Sequence, residues 1–301
     1  MQRILITGGT GFIGSALARS FAADGYDVIM TGSTAVKQNK TGSITQIQWD
    51  GRSVEKILPF VDGAHAIIHL AGEPIFGRWT QQKKDLILRS RVESGSALCA
   101  AVRKANKKPK IFVQASASGY YGDTGSDEVS ENEIVGKSYL AFVCTHWESS
   151  TESLERIGVR RCVIRTTPVL GTVGMLAQRV KPFKWFIGGP LGSGEQWVSA
   201  IHIDDVTKAV RFLINTKSCS GAYNLSAPQP CHEREFAAAI GKTLHRPSWI
   251  SAPISALRLR YGELADEIAA SSRVVPKRLL AAGFVFKHKT VAQAVTQVLK
   301  E

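Results

Sequence analysis

The sequence predicts an α/β protein, a doubly wound parallel sheet followed by a smaller C-terminal lobe. Three observations lead there. The first half alternates short β-branched apolar runs with amphipathic stretches, the pattern of parallel βαβ units. A glycine cluster at Gly8, Gly9, Gly11 and Gly14 separates the first apolar run from the first amphipathic stretch, where a tight strand-to-helix turn belongs. After Thr166, Pro168, Pro182, Gly188-Gly189-Pro190, Gly192 and Gly194 interrupt any long periodic pattern, so a loop-rich lobe begins there.

Taken in order, Ile4 to Thr7 reads as the first strand. Phe12 to Ala23 reads as a helix whose Phe12, Ile13, Leu17 and Phe21 share a packing face, and Asp27 to Met30 as the second strand. Further strands are expected at Ile44 to Trp49, Ala66 to His69, Lys110 to Ala115 and Arg161 to Arg165, with helices at about 84 to 105 and 139 to 157 between them. Val206 to Asn215 looks helical with Asp204 or Asp205 as its N-cap, and Ala222 to Leu225 can form a late strand before Pro228 and Pro230. Glu233 to Glu301 reads as mostly helical.

Of the 301 residues, 44% are hydrophobic and 21% charged, which excludes wholesale disorder. The stretch Ala64 to Ala71 is broken by His65 and His69 and falls far short of the roughly 18 apolar residues that span a bilayer. A cytoplasmic protein with no membrane partner is expected. Five cysteines without a C-x-x-C pair, and histidines without H-E-x-x-H, predict reduced thiols and no metal site. Lys and Arg number 38 against 25 Asp and Glu, a net charge of +13. The densest cluster, Arg103-Lys104 through Lys107-Lys108 to Lys110, lacks aromatic interleaving, so no nucleic acid is expected and the basic surface serves to attract a phosphorylated small molecule. A monomer or homodimer is expected.

Gly9-Thr10-Gly11-Phe12-Ile13-Gly14 matches G-x-G-x-x-G and is preceded by Gly8. Following a strand and opening a helix, this loop permits a tight turn, close backbone approach to a pyrophosphate, and helix amides aimed at its charge. About 20 residues on, a carboxylate would accept from the ribose hydroxyls of NAD. Here Thr31-Gly32-Ser33-Thr34 stand instead, with Lys37 behind. Gly32 and Ser33 then border the ribose, NADP(H) is preferred, and NAD(H) is also admitted.

Further motifs follow in order: HLAGEPI at 69 to 75, RW at 78, SRV at 90 to 92, ASASGYYGD at 115 to 123, GGPLGSGEQW at 188 to 197, IHIDDV at 201 to 206 and NLSAP at 224 to 228. Together with ILITGGTGFIG at 4 to 14, they resemble the extended and atypical branch of the short-chain dehydrogenase/reductase superfamily, in its NAD-dependent epimerase-like subgroup of largely unassigned activity. The resemblance implies a Rossmann-type nucleotide domain over 1–168, rejoined by 198–226, and a substrate lobe made mainly of 169–301. It implies that Leu70, Ala71 and Gly72 border the cofactor and that the Arg165 to Val169 segment, with Thr166 and Val169, lies near the nicotinamide.

Typical members of that superfamily use Ser, Tyr and Lys, the last two spaced Y-x-x-x-K, with a nearby Asn. In this chain Ser116 keeps the Ser, while Leu140 takes the Tyr position, Cys144 the Lys position and Arg91 the Asn position. Arg91 can supply a fixed positive charge, the alternative being a salt bridge on a helix surface. Cys144 beside such a cation reads either as a thiolate or proton carrier, or as a buried thiol that only packs. Among the remaining phenols, Tyr121-Gly122 resembles the substrate-side Tyr-Gly of extended members, although Tyr120 and Tyr121 equally suit packing under a loop. His202-Ile203-Asp204-Asp205 offers a catalytic dyad, but its place before a helix favours capping and domain bracing. The implied enzyme acts on a small carbonyl or sugar-type substrate: Ser116 hydrogen-bonds the oxyanion and Tyr139 or Tyr121 exchanges the proton. The missing Tyr-Lys pair keeps open a silent, NADP(H)-sensing regulatory protein.

Overall fold

The computed structural model describes residues 1–32 and 39–301. In chain order the first half runs β1 (Arg3–Thr7), α1 (Phe12–Ala23), β2 (Asp27–Gly32), β3 (Asn39–Thr41), β4 (Ile44–Gln48), α2 (Val54–Val61), β5 (Ala66–His69), α3 (Gln81–Lys104), β6 (Ile111–Ala117), β7 (Glu128–Val129), α4 (Tyr139–Ser149) and β8 (Arg160–Thr166). The second half runs β9 (Val169–Leu170), α5 (Met175–Lys184), β10 (Trp197–Val198), β11 (Ile201–His202), α6 (Ile203–Asn215), β12 (Gly221–Leu225), β13 (Cys231–His232) and α7 (Glu233–Leu244). It ends with α8 (Ile254–Tyr261), α9 (Leu264–Ala269), β14 (Arg273–Val274), α10 (Lys277–Ala281) and α11 (Val291–Lys300).

Among the described residues, eight strands form one sheet in the order β12-β8-β6-β5-β1-β2-β4-β3. Its pairs are parallel except β3 with β4. The strand order reverses at β1, which lies between β5 and β2, so the crevice beyond the carboxyl ends of β1 and β5 is the topological switch point where such sheets take ligands. Alternation along the strands supplies both faces with core. Ile4, Ile6, Val28 and Ile68 meet Leu17 and Phe21 of α1 and Val206, Val210 and Leu213 of α6. Leu5, Ile29, Ile67 and Phe112 meet Ile57 and Val61 of α2 and Leu98 and Val102 of α3. A separate core joins Leu176, Val180 and Phe183 of α5 to Phe236 and Ile240 of α7 and Val291, Val295 and Val298 of α11.

The expected strands and the first helix are present at nearly the expected boundaries. The helix expected over 139 to 157 instead stops at Ser149 and resumes as a 3₁₀ turn over 152–157. Ser149 and Ser150 donate their hydroxyls back to Thr145 O at 2.8 Å and Trp147 O at 2.7 Å, a competition with backbone bonding that favours helix ends. The N-cap of α6 is His202, whose Nδ1 accepts from Asp204 N at 3.1 Å, in place of Asp204 or Asp205. Asp205 braces instead: its carboxylate accepts from Lys287 N at 2.7 Å and His288 N at 2.9 Å, tying α6 to the approach to α11.

Candidate functional site

The loop between β1 and α1 is closed by its glycines. Gly8 has φ of +69°, and a Cβ there would lie 2.9 Å from both Leu70 C and Ala71 N, so the position demands glycine for conformation and for space. A Cβ on Gly14 would collide with Gly8 O and lie 2.6 Å from Gly9 Cα, and one on Gly9 would collide with Met30. Gly11 N donates to Gly8 O at 3.0 Å and Gly9 N to Thr31 O at 2.9 Å. No side chain caps α1 after Gly11, which leaves first-turn amides and the positive end of the helix dipole for an anion. These features fit the pyrophosphate of a dinucleotide. The sequence reading gave Phe12 and Ile13 to the cofactor, but the Phe12 ring packs against Gly171 and Ile13 against the sheet core. Their offer to a ligand is their backbone amides.

Thr10 lies against Gly32, where a Cβ would meet its Oγ1 at 2.8 Å. Ser33, Thr34 and Lys37 lie outside the described residues. Leu70 continues from β5 with its N–H donated to Thr7 O at 3.0 Å, and Ala71 and Gly72 emerge toward solvent. Against Gly72 sits the Arg91 guanidinium, whose Cζ would be 3.0 Å from a Cβ there. Arg91 Nη1 donates to Glu73 O and Ile87 O, both at 2.9 Å, and the guanidinium stacks 4.8 Å from the Trp147 ring. These are neutral partners, so Arg91 does not form the surface salt bridge held open as its alternative. Burial lowers its pKa, and Cys144, Tyr139 and Glu73 oppose the shift. Beneath this wall His69 is fully buried, with Nδ1 2.7 Å from Thr7 Oγ1 and Nε2 3.3 Å from Ser94 Oγ. Burial brings its pKa down to about 3, so the ring is neutral and joins β5 to β1 and α3.

At the carboxyl ends of β6, β8 and β12 lies a buried polar network that the sequence reading missed. Ser116, Arg165 and Asn224 are register partners across the three strands. Glu148 of α4 meets Arg165 bidentately, Oε1 to Nε and Oε2 to Nη2 each at 3.0 Å. Arg165 Nη1 continues to Tyr121 Oη at 3.2 Å and Glu131 O at 3.3 Å, and the guanidinium lies 3.4 Å from the Tyr120 ring centroid. Burial works against this charge, yet the bond and charge of Glu148 prevail and hold the Arg165 pKa above its ordinary value. Tyr121 donates to Asn224 Oδ1 at 2.7 Å, and Asn224 N donates to Glu131 Oε1 at 3.0 Å.

Three expected roles change in this setting. Tyr121 is buried with its hydroxyl committed to Asn224, and burial pushes its pKa up to about 12, the packing role held open for it. Cys144 is buried with Sγ 3.7 Å from Ala117 O, and burial pushes the thiol up to about 11, outweighing the pull of Arg91. No thiolate forms near neutrality. Ser116 is buried and donates its hydroxyl to Glu148 Oε1 at 2.6 Å, so its proton is already in use.

At the other end of α4, Tyr139 donates to Lys84 O, its ring lies edge-on to Trp79 at 5.2 Å, and burial raises its pKa. Leu140 packs in an apolar cluster with Trp79, Ile87, Val143 and Leu264 of α9, which fills the place of a tyrosine with core. Beside it Glu267 of α9 accepts from Leu140 N at 3.5 Å, and burial raises this carboxyl's pKa. Thr166 bonds locally to Ile164 O at 3.5 Å, and Val169 pairs with Ile201 in the β9–β11 ladder. The structure thus gathers Arg91, Ser116, Tyr139 and Cys144 around α4, and Gly8 to Gly14 with Leu70 to Gly72 around the switch point.

A doubly wound sheet with a glycine cradle and an uncapped helix at its switch point defines the class: a Rossmann-type fold of the short-chain reductase and epimerase kind. Comparison with known proteins makes this particular. The NAD dependent epimerase/dehydratase family matches residues 4–226, and a domain of unknown function, DUF1731, matches residues 252–298. The epimerase family protein YfhF of Bacillus subtilis is 32% identical over 303 residues, covering 100% of this chain and 99% of that protein. The epimerase family protein SA0724 of Staphylococcus aureus is 34% identical over 304 residues, covering 100% of both. The crystal structure of human epimerase family protein SDR39U1 (isoform 2) with NADPH superposes with a TM-score of 0.89 at 27% identity, covering 100% of both chains. The chain belongs to the NAD-dependent epimerase/dehydratase family.

Proposed function

We propose that this chain binds NADP(H) and acts as an oxidoreductase or epimerase-like enzyme on a small carbonyl or sugar-type substrate, held between a nucleotide domain (1–168 with 198–226) and a C-terminal lobe (mainly 169–301). The observation that carries the reading is the glycine cradle below the uncapped α1, in a chain that matches an NADPH-bound structure over its full length. When bound, the nicotinamide supplies or accepts hydride. The chain's own residues bind and orient: the first-turn amides of Phe12, Ile13 and Gly14 hold the pyrophosphate, Gly32 borders the ribose, and Leu70 to Gly72 form a wall backed by the Arg91 cation. Thr166 and Val169 border the nicotinamide in the same reading. A cytoplasmic monomer or homodimer belongs to this proposal.

Proton handling falls to groups at the N-terminal end of α4. With Tyr121 and Cys144 holding their protons and Ser116 donating to Glu148, the candidate proton carriers beside Leu140 are Glu267 and the half-exposed Tyr139, whose hydroxyl is committed only to the Lys84 carbonyl. The lysine of the Y-x-x-x-K pair is missing, and Lys84, 5.2 Å from the Tyr139 ring centroid, is paired with Glu263, so slow turnover confined to activated carbonyls is expected. Incubation with NADPH and a carbonyl panel, followed by a metabolite extract, tests the reading: oxidation of NADPH with one substrate supports it. The same buried commitments favour a second reading, an NADP(H)-sensing protein without turnover. Tight NADPH binding with no substrate in either screen selects the sensor.

A further inference from the structure

We propose that the surface formed by residues 185–187 and 249–250 docks the protein on an anionic lipid bilayer. Trp185 is 78% exposed and Trp249 79%, and Phe186, Ile187 and Ile250 are also exposed. The five side chains belong to one patch because their two segments run together. Ile250 N donates to Gly188 O at 3.3 Å, Ala252 N to Pro190 O at 2.9 Å, and the Arg246 guanidinium lies 4.4 Å from the Phe186 ring centroid. Phe186 itself has φ of +62°, a conformation that bulky residues rarely adopt. Contiguous exposed apolar surface of this kind marks an interaction site.

Charge selects the occupant. Residues 166–194 contain Arg179, Lys181 and Lys184 and no Asp or Glu; residues 236–262 contain Lys242, Arg246, Arg258 and Arg260 and again none. Arg179 pairs with Glu233 and Arg258 with Asp266. Lys181, Lys184, Lys242 and Arg246 are exposed and make no ion pair among the described residues. Tryptophans among lysines and arginines, in two segments that carry no carboxylate of their own and with neighbouring Glu233 buried and paired, suit the headgroup region of an anionic membrane, where indole rings settle and each cation adds attraction. A second copy of this chain would bring the same cationic rim to a two-fold contact and be repelled. No helix among the described residues is long and apolar enough to cross a membrane, so attachment is at the surface. The proposal departs from the sequence-based expectation of no membrane partner and does not depend on the cofactor reading.

The test is co-sedimentation of the full chain with vesicles of phosphatidylcholine alone and of phosphatidylcholine mixed with phosphatidylglycerol. Expected is binding to the mixed vesicles only, weakened by added salt and accompanied by a blue shift of tryptophan emission. Trp185→Ser/Trp249→Ser should lower partitioning by roughly tenfold or more, and Lys181→Glu/Arg246→Glu should do the same. Both variants should keep the parent's circular dichroism. The proposal is overturned if the parent ignores phosphatidylglycerol, or if the variants partition like the parent. It is equally overturned if light scattering shows a dimer that the tryptophan variant dissociates, or if the patch retains RNA but no vesicle.

Discussion

Replacing Glu148 with alanine should strand the Arg165 charge in the interior. The two side chains are 14% and 7% exposed and share two bonds of 3.0 Å. Breaking a buried pair by removing one partner costs about 3–5 kcal/mol, most of it the penalty of the uncompensated ion. Arg165 keeps Tyr121 Oη and Glu131 O as acceptors and the Tyr120 ring at 3.4 Å, so the lower end, about 3 kcal/mol, is expected for Glu148→Ala. That is a roughly 150-fold change in the folding equilibrium. Glu148→Gln retains size and one acceptor and should cost less. Urea unfolding followed by circular dichroism measures both, and Glu148→Ala/Arg165→Met completes a cycle. The double variant should recover about 2 kcal/mol relative to the sum of the single losses, because the stranded charge is gone. A loss under about 1 kcal/mol for Glu148→Ala, or strict additivity in the cycle, would refute the reasoning that one paired charge organises this network.

The remaining expectations concern the loop, a histidine and a thiol. Gly14→Ala forces a methyl against Gly8 O and Gly9 Cα, so calorimetry should show NADPH binding weakened by about five- to 150-fold, from roughly 1–3 kcal/mol of overpacking strain in the cradle; parent-like affinity would show that the cradle does not hold the cofactor. His69 has a folded pKa of about 3 against roughly 6.5 unfolded, so the unfolded chain takes up the proton first and stability falls as pH drops through that window. At pH 4.5 the loss relative to pH 7 is about 2–3 kcal/mol, and urea midpoints for His69→Gln should show a correspondingly shallower acid slope; identical slopes contradict the assignment. Cys144, buried with its pKa near 11, should resist iodoacetamide in the native state at pH 8, and Cys144→Ala should bind NADPH as the parent does. Rapid native alkylation there, mapped by mass spectrometry, would restore the thiolate reading.

The sheet was legible because a parallel sheet buried on both faces writes its strands as apolar runs, as in Ile4 to Ile6 and Ala66 to Ile68. The cradle was legible because Gly8 to Gly14 fall between such a run and a helix. The two-residue ladders, such as Val169 with Ile201 and Arg273 with Glu128, carry no local period and depend on which loops the fold brings together. Helix α2 was hidden by Pro59 in its interior. In the site, Arg165 and Asn224 become neighbours only through strand order, 59 residues apart in the chain. Glu148 did leave a trace: it follows Leu140 and Cys144 at intervals of four, one face of α4. What the spacing could not reveal was burial, which turned Cys144 and Tyr121 from candidate proton carriers into holders of their own protons. His69 was quoted only as part of HLAGEPI, and its partners Thr7 and Ser94 come from β1 and α3.

Calorimetric titration of the purified chain with NADPH and, separately, with NADH tests the central claim most directly. One NADPH per chain is expected, bound more tightly than NADH, because no carboxylate follows β2 in Thr31-Gly32-Ser33-Thr34 and each charge-assisted bond to a 2′-phosphate contributes about 1.5–3 kcal/mol. Absence of heat with either nucleotide would contradict the cofactor assignment, and equal or reversed affinities would contradict the reading of the strand end.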